Sequence, residues 1–247
     1  METAPLDGDV AVITGASSGI GEATAHALAE NGATVVLAAR SEETLTEIAD
    51  TITATYDTAA HAVPTDVTDR AAVDALVETA VEEYGSLDLL VNNAGLARGD
   101  DVAALTDDEY RQMMAVNCDG MFYATRAALP HLTDADGTIV FLGSFAGQYP
   151  RPSNPVYAAT KWWTRGFAHS VEARYGDDGL GVTVVNPTEV RTRFNDEDGT
   201  AFEEAYDEAE VSRPTDIADA IAFAATQSAP TVASEIDMYR QDKFSEF

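Results

Sequence analysis

Cysteine occurs once in these 247 residues, as Cys118, so no disulfide can close within the chain and a small stapled scaffold is excluded. A single thiol fits a reducing compartment, and the expected location is the cytoplasm. Long apolar runs are missing as well: nothing approaches the roughly 20 residues needed to cross a bilayer. Met1–Asp9 has neither the basic start nor the apolar stretch of a secretory leader. Scarcest of all is positive charge. Only 14 basic residues stand against 43 acidic ones, giving a formal charge of -29, and Lys161 and Lys243 are the only lysines. A polyanion of this kind is repelled by nucleic acid and anionic membrane, which argues against both as partners.

Apolar side chains are not scarce. Hydrophobic residues make up 45% of the chain, which excludes disorder despite the charge and allows a sizeable core. The acidic residues are spread along the whole length rather than gathered in a tail. Dispersed acidity with almost no lysine resembles the composition of proteins from salt-accumulating organisms; in molar salt the Debye length falls to about 3 Å and the repulsion is tolerated. An ordinary acidic protein is the alternative.

Short apolar runs alternate with segments of helical period. Val10–Thr14, Thr34–Ala39, His61–Pro64, Leu87–Asn92, Thr138–Gly143 and Val182–Asn186 read as strands. Between them Ile20, Ala23, Thr24, Ala27 and Leu28 form one helical stripe; Leu45, Ile48, Ala49 and Ile52 form another. Val73, Leu76, Val77, Ala80 and Val81 form a third. Ile217, Ala220, Ile221 and Ala224 repeat the pattern late in the chain, with Thr215 as the expected N-cap. Such alternation predicts an α/β fold: one doubly wound Rossmann-type domain over 1–247, a parallel sheet of about seven strands with helices on both faces. The cofactor half is expected over about 8–150 and the substrate half over about 151–247, with no linker between them. The acidic stretch Asn195–Glu210 reads either as a solvated helix or as a lid over the strand ends.

The first strand runs into Gly15-Ala16-Ser17-Ser18-Gly19-Ile20-Gly21, with a helix behind it. Glycines there let backbone approach a pyrophosphate, and the helix N-terminus adds partial positive charge. Tyr157 and Lys161 are four residues apart and meet on one helix face. The ammonium is expected to lower the phenol's pKa, tuning it for proton exchange with an alcohol or carbonyl oxygen. Ser144, at a strand end, can donate to the same oxygen. At the end of the second strand Ala39 stands where a carboxylate would bind a ribose diol. Arg40 and Ser41 follow, suited to a 2′-phosphate, so NADP(H) is expected over NAD(H).

Thr14–Gly21 (TGASSGIG), Asn92–Gly95 (NNAG) and Tyr157–Lys161 (YAATK) resemble the motifs of the single-domain short-chain dehydrogenases/reductases, and the likeness runs from about Val10 to about Asp237. The resemblance implies an oxidoreductase moving hydride between a nicotinamide cofactor and a secondary alcohol or ketone. It implies Tyr157 as acid/base with Ser144 and Lys161, and Asn117 kinking its helix and holding a relay water. It places Asp66 and Val67 at the adenine, and Asn93, Ala94 and Gly95 along the cofactor. Pro187, Val190 and Thr192 fall in the segment that usually reads PGxVxT; here Thr188 replaces the glycine. Leu96, Phe145, Gln148, Tyr149 and Glu189 are the expected substrate neighbours. Trp162 and Trp163 suggest a subunit interface, and the family commonly forms homodimers or homotetramers. Cys118 and His26, His61, His131 and His169 show no catalytic or metal spacing.

The substrate stays open between a small carbonyl or hydroxy acid, a 3-oxoacyl thioester and a sugar or polyol. The chain's end, Ser234–Arg240, lacks the glycines common in the thioester reductases. A non-enzymatic dinucleotide sensor is the reading from another class; such proteins tend to lose Tyr or Lys, and this chain has both. Lyases and epimerases with the same fingerprint are usually longer.

Overall fold

β-Branched and aliphatic runs place seven parallel strands side by side in a computed structural model that describes residues 4–99, 101–194, 201–207 and 209–246. The strands are β1 (Val10–Thr14), β2 (Thr34–Ala39), β3 (Ala60–Pro64), β4 (Leu89–Asn92), β5 (Thr138–Leu142), β6 (Gly181–Pro187) and β7 (Glu235–Met238). Their order is β3-β2-β1-β4-β5-β6-β7. Winding runs outward in one direction up to β3 and in the other from β4, so the order reverses between β1 and β4. Ligands of doubly wound sheets settle at such a switch point, outside the carboxyl ends of the strands.

The sheet is buried on both faces because its strands alternate between two sets of helices. Ala11, Ile13, Val35, Leu37, Val91 and Val140 pack toward α1 (Gly19–Glu30), α2 (Glu42–Thr55) and α8 (Pro214–Ala225). Val12, Val36, Ala38, Leu90, Ile139 and Phe141 pack on the other side, toward α3 (Arg70–Tyr84), α5 (Met121–Asp134) and α6 (Pro155–Tyr175). Continuous apolar strands with side chains committed to both faces are what a parallel sheet requires.

The expected strands coincide with the observed ones to within two residues at each end. Two expectations are corrected. The N-cap of α8 is Arg213, not Thr215: Pro214 takes the first helical position, and the Asp216 carboxylate accepts from the Arg213 N–H at 2.8 Å. On α1 the buried face is Gly21, Thr24, Ala25, Leu28 and Ala29, rotated from the expected stripe. Of Asn195–Glu210, residues 195–200 and 208 lie outside the described residues; the rest includes the single helical turn α7 (Phe202–Ala205).

Candidate active site

The turn from β1 into α1 leaves no room for side chains at its three glycines. Gly15 and Gly19 have φ of +67° and +58°, a region that strains any residue with a Cβ. At Gly21 the obstacle is contact: a Cβ there would collide with the Gly15 carbonyl oxygen and lie 2.6 Å from Asn93 Nδ2. Asn93 clamps the turn from β4, its Nδ2 donating to the carbonyls of Thr14 (2.9 Å) and Gly15 (3.0 Å). Thr14 Oγ1 accepts from the N–H groups of Asn93 and Ala94, both at 3.1 Å. The result is bare backbone at the N-terminus of a helix, a shape and polarity suited to a pyrophosphate.

A cleft of about 1460 Å³ extends from this turn across the strand ends. Pockets for drug-sized ligands measure roughly 300–1,000 Å³, so there is room for a dinucleotide and a small second molecule. One end is walled by Ser17, Ser18, Ile20, Arg40, Ser41, Asp66 and Val67. The other end holds Ser144, Tyr157 and Lys161, and Asn93, Ala94, Gly95, Pro187, Val190 and Thr192 lie along the cleft. Gly21 is buried on α1 and does not line it. Arg40 is exposed at the end of β2 and makes no ion pair among the described residues. Asp66 Oδ1 accepts from the Thr68 N–H (2.9 Å) and hydroxyl (2.7 Å). Those bonds, with a smaller contribution from the Arg40 charge, hold its carboxyl below the usual range. The bare turn, the cleft's length and the guanidinium at the adenosine end fit a dinucleotide.

At the other end Tyr157 and Lys161 are 8% and 4% exposed. Lys161 Nζ donates to the Leu142 carbonyl at 2.8 Å and lies 5.8 Å from the Tyr157 ring centre. The expected lowering of the Tyr157 pKa by this ammonium is not what the geometry gives. Burial raises the phenol's pKa; the Ser144 hydroxyl and the Arg151 charge oppose it. Burial also brings Lys161 down to about 8. Desolvation disfavours the charged form of each group, and here it is the largest cause for both.

Asn117 lies in a π turn, Ala115–Gly120, that widens the path from α4 (Asp107–Met114) to α5; this is the kink the resemblance implied. Its Oδ1 accepts from the Leu96 N–H (2.8 Å), and its Nδ2 donates to the Leu96 carbonyl (2.8 Å) and Thr160 Oγ1 (3.1 Å). Both amide hydrogens are thereby committed, so only an oxygen of this residue is left to hold a relay water.

The expected substrate neighbours divide. Leu96 and Glu189 line the cleft; Phe145, Gln148 and Tyr149 do not. The 3₁₀ turn Phe145–Gly147, whose Ala146 N–H donates to Ser144 Oγ (3.1 Å), turns them toward the C-terminal tail. Phe145 stacks on Tyr149 at 4.4 Å and meets Tyr239 edge-on, while Gln148 Nε2 donates to Glu235 (2.8 Å) and Asp237 (2.9 Å). Glu189 is paired with Lys243 Nζ at 2.7 Å and lies 3.9 Å from Arg240. Burial works against its charge, but these cations prevail and hold the carboxyl below its usual range. Cys118 is buried, its thiol pushed up to about 11 by that burial. Phe194, 5.7 Å from the Tyr157 ring, Phe202, Arg98, Arg151 and Asn154 also line the cleft, and sequence reasoning did not single them out. The two phenylalanines had a signal, being aromatics at the edges of an acidic stretch.

The sequence model of the family described as short chain dehydrogenase matches residues 9–201. The chain belongs to the short-chain dehydrogenase family. An uncharacterized oxidoreductase of Staphylococcus aureus (strain MW2) is 34% identical over 234 residues, covering 94% of this chain and 96% of its relative. Among solved structures, an alcohol dehydrogenase from the archaeon Thermococcus sibiricus, complexed with 5-hydroxy-NADP, superposes with a TM-score of 0.86. It is 27% identical, over 93% of this chain and 95% of that one. A 3-ketoacyl-(acyl-carrier-protein) reductase from Brucella melitensis, complexed with NADH, gives 0.85 at 30% identity, over 95% and 98%. This short-chain dehydrogenase is therefore an NAD(P)-binding oxidoreductase. Its staphylococcal relatives lend no support to a salt-accumulating source.

Proposed function

We propose that this chain is an NADP(H)-dependent oxidoreductase acting on a small ketone or secondary alcohol, with Tyr157 as its proton donor and acceptor. The observation that carries this is the convergence of Ser144, Tyr157 and Lys161 at one end of a cleft whose other end is the bare glycine turn. A bound nicotinamide supplies or accepts the hydride. The neutral phenol of Tyr157 donates its proton to a carbonyl oxygen, and Ser144 Oγ polarises that oxygen from the end of β5. Lys161 holds positive charge beside the phenol and steadies the phenolate formed. Asn117 braces Leu96 and Thr160; Thr160 Oγ1 in turn donates to the Tyr157 carbonyl at 2.8 Å, which fixes that turn of α6. A relay water would be held by an oxygen of Asn117.

NADP(H) over NAD(H) is supported by Arg40, a guanidinium with no ion pair among the described residues, and by Ala39, which offers no carboxylate to repel a 2′-phosphate. Homodimer or homotetramer formation is supported by Trp162 and Phe122, large apolar side chains left 47% and 39% exposed on α6 and α5. Cytoplasmic residence and salt adaptation rest on composition, namely one cysteine, two lysines and 43 acidic residues.

A panel of ketones and alcohols assayed with NADPH and NADH, in dilute buffer and in molar KCl, tests the reading; no turnover with any pair would refute it. Arg40→Ala should weaken NADPH binding about ten- to hundredfold and leave NADH nearly unchanged. Equal weakening of both would remove the 2′-phosphate role.

A further inference from the structure

Positive charge is scarce in this chain, and its placement is uneven. Of the 14 basic residues, Arg40, Arg98, Arg111, Arg151, Lys161 and Arg193 line the cleft. Of the 43 acidic ones, Asp66, Glu109 and Glu189 do so among the described residues, and each is occupied. Thr68 holds Asp66, the Thr106 N–H and hydroxyl hold Glu109 at 2.7 Å, and Lys243 holds Glu189. A cleft lined by one sign of charge focuses field and concentrates ligands of the opposite sign.

Arg151 differs from its neighbours. Arg111 is paired with Asp107 (3.1 Å) and Asp108 (3.0 Å), Arg193 with Glu203 (3.7 Å), and Arg98 Nε donates to Gln112 (3.3 Å). Arg40 stands at the far, adenosine end. Arg151 is half-buried in the loop between Ser144 and Tyr157 and lines the same cleft, and its guanidinium makes no ion pair or hydrogen bond among the described residues. Its charge nevertheless reaches the Tyr157 phenol. The loop is held in place: the Arg151 carbonyl accepts from the Asn154 N–H (3.2 Å), and Asn154 Oδ1 caps the Tyr157 N–H (3.2 Å). Asn154 Nδ2 reaches the carbonyls of Arg98 (3.4 Å) and Gly99 (3.3 Å) in the loop after β4. In a molecule with three acidic side chains for every basic one, a half-buried guanidinium that lines the cleft without a carboxylate is open to an anion brought by the ligand.

We propose that Arg151 binds the carboxylate of a small oxo acid or hydroxy acid whose reacting carbon sits at Tyr157. The proposal rests on the oxidoreductase reading above and names its substrate class. In the reducing direction the carbonyl carbon takes a hydride from the reduced cofactor, the carbonyl oxygen takes the Tyr157 proton, and the carboxylate is unchanged. A guanidinium fork matches a carboxylate in two parallel hydrogen bonds. Because Arg151 lines the cleft beside Tyr157 closely enough for its charge to act on the phenol, an anion held there belongs to the same small molecule as the reacting carbonyl. An acyl thioester is neutral at that distance and leaves the fork empty.

The test compares short 2-oxo and 3-oxo acids with their methyl esters, using the full-length wild type, Arg151→Met and Arg151→Lys. Cofactor binding is followed by NADPH fluorescence to show that each variant is folded. The wild type should prefer the acid. Arg151→Met should lower kcat/KM for the acid about ten- to hundredfold more than for the ester, mainly through KM, and retain NADPH affinity; Arg151→Lys should recover part of the loss. Equal use of acid and ester by the wild type, or an equal loss on both in Arg151→Met, overturns the carboxylate role while leaving the oxidoreductase reading intact. No turnover of any carbonyl with either cofactor overturns that reading, and this proposal with it.

Discussion

At Tyr157 and Lys161 two ionisable groups are stripped of water on adjacent turns of α6, and burial moves them in opposite directions. The phenol rises and stays protonated through neutral pH; the ammonium falls to about 8. Because Lys161 has a lowered pKa, its charge is complete well below pH 8 and is lost as pH rises through that value. We therefore predict that kcat/KM for carbonyl reduction is level below about pH 8 and declines above it, and that Lys161→Arg moves the decline upward. A decline unmoved in that variant would assign it to another group. The Tyr157–Lys161 pairing was legible in sequence because four residues is one helical turn. Its electrostatics were not, since spacing says nothing of burial. Arg151 was equally hidden: it belongs to no regular element, and its place beside Tyr157 depends on Asn154 tying two loops together. Phe145, Gln148 and Tyr149 are expected beside the substrate, and a single 3₁₀ turn directs them elsewhere.

Elements show the same division. Strands on β-branched runs, and the glycine turn between β1 and α1, were readable because each follows from local chemistry. The phase of α1 was not, because packing against α8 as well as the sheet shifts its buried face to Ala25 and Ala29. The start of α8 went to Arg213, with Pro214 at the first helical position and the Asp216 carboxylate supplying the cap, so Thr215 lies two residues too late. The glycine turn yields the sharpest prediction at this scale. Gly21→Ala drives a methyl group against the Gly15 carbonyl and Asn93, so it should cost about 1–3 kcal/mol of stability and at least tenfold in cofactor affinity. Denaturant unfolding and NADPH fluorescence measure the two; wild-type affinity in this variant would show that the turn does not cradle the cofactor.

Across the whole molecule the formal charge of -29 sets a repulsion that the cleft does not share. Raising salt from 0.1 M to 1 M shortens the Debye length from about 10 Å to about 3 Å. The melting temperature should therefore climb over that range of KCl and then level off, whereas a flat profile would mean that the acidity is structurally neutral. Screening also reaches Arg151, so the acid substrate's KM should rise with salt while an ester's does not. Such field effects come from the distribution of charge in space, which the linear sequence announced only as a total. Carbonyl reduction here requires Tyr157 as the proton donor, and turnover by Tyr157→Phe, measured with NADPH binding in the same sample, checks that requirement. Activity should fall by at least a thousandfold with NADPH affinity within about threefold of wild type; sustained turnover by a folded, cofactor-bound variant would overturn the role of Tyr157.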